Sequence, residues 1–288
     1  MNIGILFAIG ALFGWAFGDF FIQKTVRKIG NIRALFYITA AGGILILPFI
    51  WREIIPAFAD TSNWLLIIIA CALVMLTALA NFQGLKLGKL AVVMPINGLE
   101  IIVAVLLAMA IGQEIYDLKT LLFIILVLIG LTLISVVSLD KIKKLRLENG
   151  VGWAIIGAIG LGASDYVIGH ASRTFSPLFA IWLTHSAVAV FSGLIMLKTR
   201  AYKQIKQDLN HFMGLIGAQS FLDNASWISF AYATIYIPIG IATTISEGYL
   251  IVAVMLGLLI NKEKIKAHQT AGMILALIGI MALSLLTV

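Results

Sequence analysis

Ten apolar runs, separated by short polar links, divide this chain from one end to the other. They fall at 4–23, 33–51, 63–84, 89–111, 118–138, 151–169, 177–197, 212–234, 237–260 and 267–287. Each is close to the ~20 residues an α-helix needs to cross a bilayer. No link is long enough to hold a soluble domain. Only 11% of the residues are charged, 61% are hydrophobic, and the mean hydropathy is +1.08. A soluble domain carries roughly 25% charged residues, so this chain is read as an integral membrane protein. In hydrocarbon, backbone groups must be satisfied within a helix or a closed barrel. The alternating segments of a barrel are absent from the pattern. The expected fold class is an all-α membrane protein of ten transmembrane helices. The single cysteine, Cys71, lies in an apolar run, so disulfides play no part in the expected fold. The first run lacks a basic leader and a small-residue cleavage site, and is expected to remain as an anchor.

The pattern is also stated twice. Gly88 to Glu114 reads GKLAVVMPINGLEIIVAVLLAMAIGQE, and Ile237 to Glu263 reads IPIGIATTISEGYLIVAVMLGLLINKE. Val103, Ala104 and Val105 fall over Val252, Ala253 and Val254; Glu114 falls over Glu263 and Gly130 over Gly279. Nearer the front, Gly4, Gly14, Asp19, Phe20 and Arg27 fall over Gly150, Gly160, Asp165, Tyr166 and Arg173. Two units are expected, 1–140 and 150–288, each of five helices. An odd number sends the two copies through the membrane in opposite directions, the inverted repeat behind many secondary transporters. Of the 20 Lys and Arg, 17 lie in the loops after helices 1, 3, 5, 7 and 9; only Arg52, Lys119 and Arg173 lie in the others. The positive-inside rule then places the odd loops in the cytoplasm and both termini outside. The net charge of +7 is accounted for by these short loops and carries no nucleic-acid signal.

This duplicated order resembles the drug/metabolite transporter superfamily, and more narrowly the ten-helix EamA-type permeases. The residues that carry the likeness are Gly4 and Gly14 in the opening helix, Pro95, Glu114 and Gly130, then Glu263 and Gly279. The resemblance implies alternating access around a central cavity between the halves, and export of amino acids or other small metabolites. Two features depart from it. Pro95 is replaced by Thr244 at the aligned position, so the second copy is expected to lack that helix break. Members are often drawn with cytoplasmic termini, whereas the charge count places them outside, and we follow the count.

Five carboxylates fall inside the apolar runs: Asp19, Glu100, Asp165, Asp223 and Glu247. A charge at bilayer depth is expensive and calls for a cavity, a partner or a proton. Helical spacing places Asn97 on the face of Glu100, and Thr243 and Thr244 on the face of Glu247. It strings Gln219, Asp223 and Trp227 along one stripe, with Asn224 beside them, and pairs Thr77 with Asn81 and Trp15 with Asp19. The expected substrate-binding set is Trp15, Asp19, Asn81, Asn97, Glu100, Asp165, Tyr166, Gln219, Asp223, Asn224, Trp227 and Tyr249. Low dielectric penalises the charged form of a carboxyl, which is how one can take up and release a proton. Glu247, and with it Glu100, is the expected proton-coupling group. Structural roles stand beside these: Asp19 and Asp165 as interfacial groups paired with basic loops, the asparagines as helix bridges, and His185 as a satisfied interior side chain. Gly10, Gly14 and Gly18 form a close-packing stripe, and Glu114 and Glu263 cap helix N-termini.

The function read from these residues is an alternating-access carrier for a small metabolite, an amino acid or similar compound, in the direction of efflux across the plasma membrane. The alternative is a facilitative or exchange carrier for a sugar, nucleotide or cationic drug. A membrane-embedded enzyme is a remote third: Asp19 and Asp165 lack the Gly-x-Gly-Asp setting, and no His-Glu-x-x-His or Gly-x-Ser-x-Gly is present. No cofactor or metal is expected. The expected partners are a small-molecule substrate, H+ and the lipid bilayer, with no nucleic acid, and a monomer ahead of a dimer.

Overall fold

The computed structural model describes residues 2–87, 96–135, 150–252, 255 and 266–286. Their helices are α1 (Ile3–Ile29), α2 (Asn31–Ala59), α3 (Trp64–Leu87), α4 (Leu99–Ala110), α5 (Leu118–Ser135), α6 (Val151–Thr174), α7 (Pro177–Lys198), α8 (Ile205–Tyr236), α9 (Ile239–Ser246) and α10 (Ala267–Leu286). No strand occurs among the described residues. Six of the helices, α1, α2, α3, α6, α7 and α10, are long and apolar enough to cross a membrane. α8 is longer, at 32 residues, but interrupts its apolar face with Gln219, Asp223 and Asn224. Pro95, Lys141, Arg146 and Glu263 lie outside the described residues.

Several helices overrun the apolar runs that announce them. α1 continues through Lys24, Arg27 and Lys28, and ends only where Gly30 takes φ 87°. A left-handed backbone there turns the chain directly into α2, and glycine enters it without a Cβ clash. α2 runs on past Arg52 to Ala59, although a loop is expected from 52. α8 starts seven residues before its apolar run and bends at Phe212. Charged and amphipathic residues end the hydrophobic pattern where water begins, but they do not end the i to i−4 hydrogen-bond ladder. α7 is the counter-example, since its start is written locally. Ser176 Oγ accepts from Phe179 N at 3.1 Å, with Pro177 at the first helical position.

The principal packing pairs are α1 on α8, α3 on α6, α2 on α7 and α5 on α10, with α4 against α6 and α9 against α1. Exchanging each helix for the one five places away maps this set onto itself. Small residues make the contacts close. A Cβ at Gly14 would lie 2.1 Å from Ser226 Oγ, and one at Gly160 would lie 2.4 Å from Thr77 Oγ1. Gly10 and Gly18 sit against Ser229 and Leu222, so the glycine stripe of α1 lies flat on α8. A Cβ at Gly130 would meet Ala276 N at 2.6 Å, and one at Gly279 would meet Val127 Cγ2 at 2.5 Å, where α5 crosses α10.

Following the chain up and down gives the bundle two ends. The start of α1 and the ends of α2, α4, α6 and α8 lie at one, called here the terminal end; the α1–α2 turn and the start of α8 lie at the other. At the turn end, Arg33 contacts both carboxylate oxygens of Asp208, at 2.7 and 2.8 Å, and Tyr37 donates to the same group.

Candidate functional site

Two of the helices are interrupted next to a carboxyl. Ile96 and Asn97 are helical, Gly98 is a turn, and α4 then begins with Glu100 in its first turn. α9 stops at Ser246; Gly248 N bonds to Ile245 O at 3.0 Å and Ile251 N to Gly248 O at 3.0 Å before helical backbone resumes. These i to i−3 bonds mark a tightened turn. The two breaks fall at matching positions of the two repeats, so the second copy is broken despite Thr244; the break comes at Glu247 and Gly248 instead. Interrupted helices free backbone groups at membrane depth, which is tolerated where they line a cavity.

A cavity lies there. The space open to the centre of a water molecule is about 110 Å3, against the roughly 10–15 Å3 that holds one water. It has room for a small solute. Its walls carry four carboxyls from four elements: Asp19 of α1, Glu100 of α4, Asp223 of α8 and Glu247 at the α9 break. Asn81, Asn97, Thr39, Thr77, Ser164, His185 and Tyr249 supply its other polar groups. Among the described residues no Lys or Arg lines it. Asn97, Tyr249 and Asp19 form a hydrogen-bonded row. Glu100 has the carboxyls of Glu247, Asp165 and Asp19 as neighbours. Asn97 Oδ1 and Glu247 Oε2 are buried without a hydrogen-bond partner among the described residues, and such acceptors are costly unless something in the cavity donates to them.

The cavity is displaced toward the turn end, because most of its α1 and α3 residues come from the C-terminal halves of those helices and its α2 residues from the start. On the other side it is floored by rings. Trp15 meets Trp227 edge-on at 5.1 Å and Phe230 at 5.7 Å. Beyond that floor, at the terminal end, a polar clasp ties four helix ends together. Arg173 at the end of α6 pairs with Glu114 at 2.7 Å and donates to Thr234 O at 2.7 Å and Ile237 O at 3.1 Å. Glu114 accepts from Ile239 N, the first residue of α9, at 2.9 Å and from the Tyr116 hydroxyl. Burial and the Glu114 carboxylate push the Tyr116 hydroxyl pKa up.

The residues 2–136 and 148–285 each match the model of the EamA-like transporter family. The chain belongs to the EamA-like transporter family. No curated protein matches it. A protein of known crystal structure is similar in fold, with a TM-score of 0.74 over 99% of both chains at 11% identity. The family makes the chain an integral membrane transporter of small solutes, and family membership sits with the expectation of no enzymatic activity.

Within this family member, nine of the expected site residues line the cavity: Trp15, Asp19, Asn81, Asn97, Glu100, Asp223, Trp227, Glu247 and Tyr249. Four do not. Asp165 is buried behind the wall, where its Oδ2 accepts from Thr243 at 3.0 Å. It does not pair with Arg173, which is engaged by Glu114. Asp19 lines the cavity rather than a basic loop. Tyr166, one residue on and so about 100° round the helix, packs with Ala70, Ala108 and Ile239 and stacks on His170. Gln219 donates to Ala34 O at 3.3 Å, and Asn224 bridges α8 to α2 and α7. Thr39, Ser164 and His185 line the cavity without having been expected there. Ser164 carried no signal of this, since it aligns with Gly18, a packing position of α1. Glu114 does cap a helix, but the helix is α9, across the bundle, and not the α5 that follows it.

Proposed function

We propose that the protein is an alternating-access secondary transporter of the plasma membrane, built from two inverted five-helix halves, 1–140 and 150–288, with ten membrane-spanning helices. The self-mapping set of packing pairs and the matched breaks beside Gly98 and Glu247 support this reading. The state seen has its cavity toward the turn end and its clasp made at the terminal end. With the turn end in the cytoplasm, as the basic loops indicate, this state takes up solute from the cytosol, which is compatible with efflux. The Arg173–Glu114 clasp must release for the solute to leave.

The observation that carries the substrate class is a cavity that, among the described residues, is lined by four carboxyls and no Lys or Arg. Such a site attracts cations and repels anions. The solute is a small molecule with an ammonium group, its apolar part lying on Trp15, Trp227 and Tyr249. An amino acid satisfies the ammonium but brings a carboxylate that finds only amides and hydroxyls. The cavity thus favours amines, with amino acids as the second substrate class. Glu247 and Glu100 exchange protons with the two sides as the cavity alternates, which couples transport to H+. Counterflow of labelled amines and amino acids in proteoliposomes tests the reading. Saturable amine exchange, lost in Asp223→Asn, is the expected result; exchange of anionic solutes alone would overturn it.

A further inference from the structure

His185 was expected to be a satisfied interior histidine, yet among the described residues only one of its two ring nitrogens has a hydrogen-bond partner. Its Nδ1 lies 2.9 Å from Asn224 Oδ1. Which of the two donates is settled by the other end of the amide. Asn224 Nδ2 is 2.9 Å from Ile38 O and 2.8 Å from Ser220 O, so both amide hydrogens are taken by backbone carbonyls. The oxygen must therefore face the histidine, and an amide oxygen can only accept. The hydrogen is on Nδ1. In the neutral ring the other nitrogen, Nε2, then carries a lone pair and no hydrogen.

This arrangement is built on a position that α2 keeps empty. A Cβ at Gly42 would lie 2.0 Å from Asn224 Oδ1 and 2.7 Å from His185 Nδ1. Three helices thus converge to hold one imidazole in one tautomer, and that imidazole is on the cavity wall. The nearby hydroxyl of Thr39 is already spent on Leu35 O at 2.8 Å. α7 contributes no carboxyl to the cavity: the four acids that would hold a cation come from α1, α4, α8 and the α9 break.

Resting on the amine-binding reading above, we propose that His185 is a specificity-determining contact of this cavity, its Nε2 accepting a hydrogen bond from a second N–H or O–H of the solute, away from the ammonium group. The preferred solutes are amines with a second donor. The probe pair is tyramine and phenethylamine, which differ only in a phenolic O–H. Binding is read from tryptophan fluorescence, since Trp15 and Trp227 line the cavity, and tautomer from the nitrogen NMR of protein labelled at its four histidines, with His185→Gln assigning the signal. The apo protein should show a neutral His185 with its hydrogen on Nδ1. Tyramine should bind about tenfold tighter than phenethylamine and shift the Nε2 signal, which phenethylamine leaves in place. His185→Phe should erase the preference, read as the ratio of the two affinities in the same folded variant, and His185→Gln, which keeps an acceptor, should retain part of it. A hydrogen on Nε2, a doubly protonated ring, or an undiminished preference in a folded His185→Phe would overturn the proposal. Failure of both amines to bind would overturn the amine reading and this contact with it, while the tautomer, measured without ligand, would still report whether the Asn224 argument holds.

Discussion

Removing the Arg173 guanidinium should open the terminal end of the bundle. Arg173→Ala deletes one ion pair at 2.7 Å and two hydrogen bonds to the carbonyls that close α8. Breaking a fully buried pair costs roughly 3–5 kcal/mol. That figure must be reduced, because Arg173 is 35% exposed and its charge is partly screened. Glu114 also keeps Ile239 N and the Tyr116 hydroxyl as donors. About 2 kcal/mol remains, a shift of roughly 30-fold in the ratio of closed to open states if the clasp is made only when that end is shut. A cysteine at Ile241, buried just inside the clasp, reports it on a Cys71→Ser background. An impermeant maleimide should label it roughly 30-fold faster in Arg173→Ala, with Arg173→Lys between the two. If labelling is unchanged while the melting temperature falls, the clasp braces every state and does not gate the cavity.

Other outcomes follow from the same structure. Glu247→Gln should abolish uphill transport driven by a pH gradient and retain exchange at equal concentrations; transport that still concentrates solute would remove Glu247 from the coupling role. A single cysteine at Lys144 should resist impermeant thiol reagents in intact cells, and ready labelling would reverse the orientation taken from the basic loops. Gly130→Ala drives a methyl into the backbone of α10 and should destabilise by about 1–3 kcal/mol, whereas Gly214→Ala, with nothing within 4 Å, should gain up to about 1 kcal/mol of helix propensity. Thermal melts of both variants check this. Hydrogen bonds from Ser62 and Asn63 hold the Asp60 carboxyl pKa below its usual 3.8, so its contribution to stability is present at neutral pH and lost as pH falls below about 4 through the lowered value. The melting curves of Asp60→Ala and the parent chain should therefore converge in acid; a gap that persists there would assign the loss to packing.

What the sequence made legible is what hydrocarbon makes expensive. Asp19, Glu100, Asp223 and Glu247 announced a cavity because a carboxyl at that depth has few places to go. The α1 glycine stripe announced a close neighbour because nothing else explains three bare positions on one face. Partnership across the bundle was hidden. Nothing near Glu114 in the chain says that it caps a helix beginning at Ile239, and nothing near Asn224 says that its amide is consumed by Ile38 and Ser220. Asp165 and Asp19 align in the repeat and yet one faces α9 and the other the cavity. The second helix break was missed for a related reason. Proline is a conspicuous signal, while a turn at Glu247 and Gly248 depends on how Gly248 packs against Leu12 and Ile280.

The swapped pairing of first helices bears on how the chain is made. Gly14 waits for Ser226 and Gly160 rests on Thr77, so α1 finds its principal partner only after more than two hundred further residues have been inserted. Such distant contacts are slow to form and leave early segments exposed in the meantime. Until α8 arrives, the glycine face of α1 can only meet lipid, which offers a bare backbone stripe little to pack against. Neither half should be stable when synthesised by itself, because each lacks the surface on which its opening helix lies. Expressed together as two separate chains cut within 140–150, the halves should find one another, each completing the other's unfinished bundle.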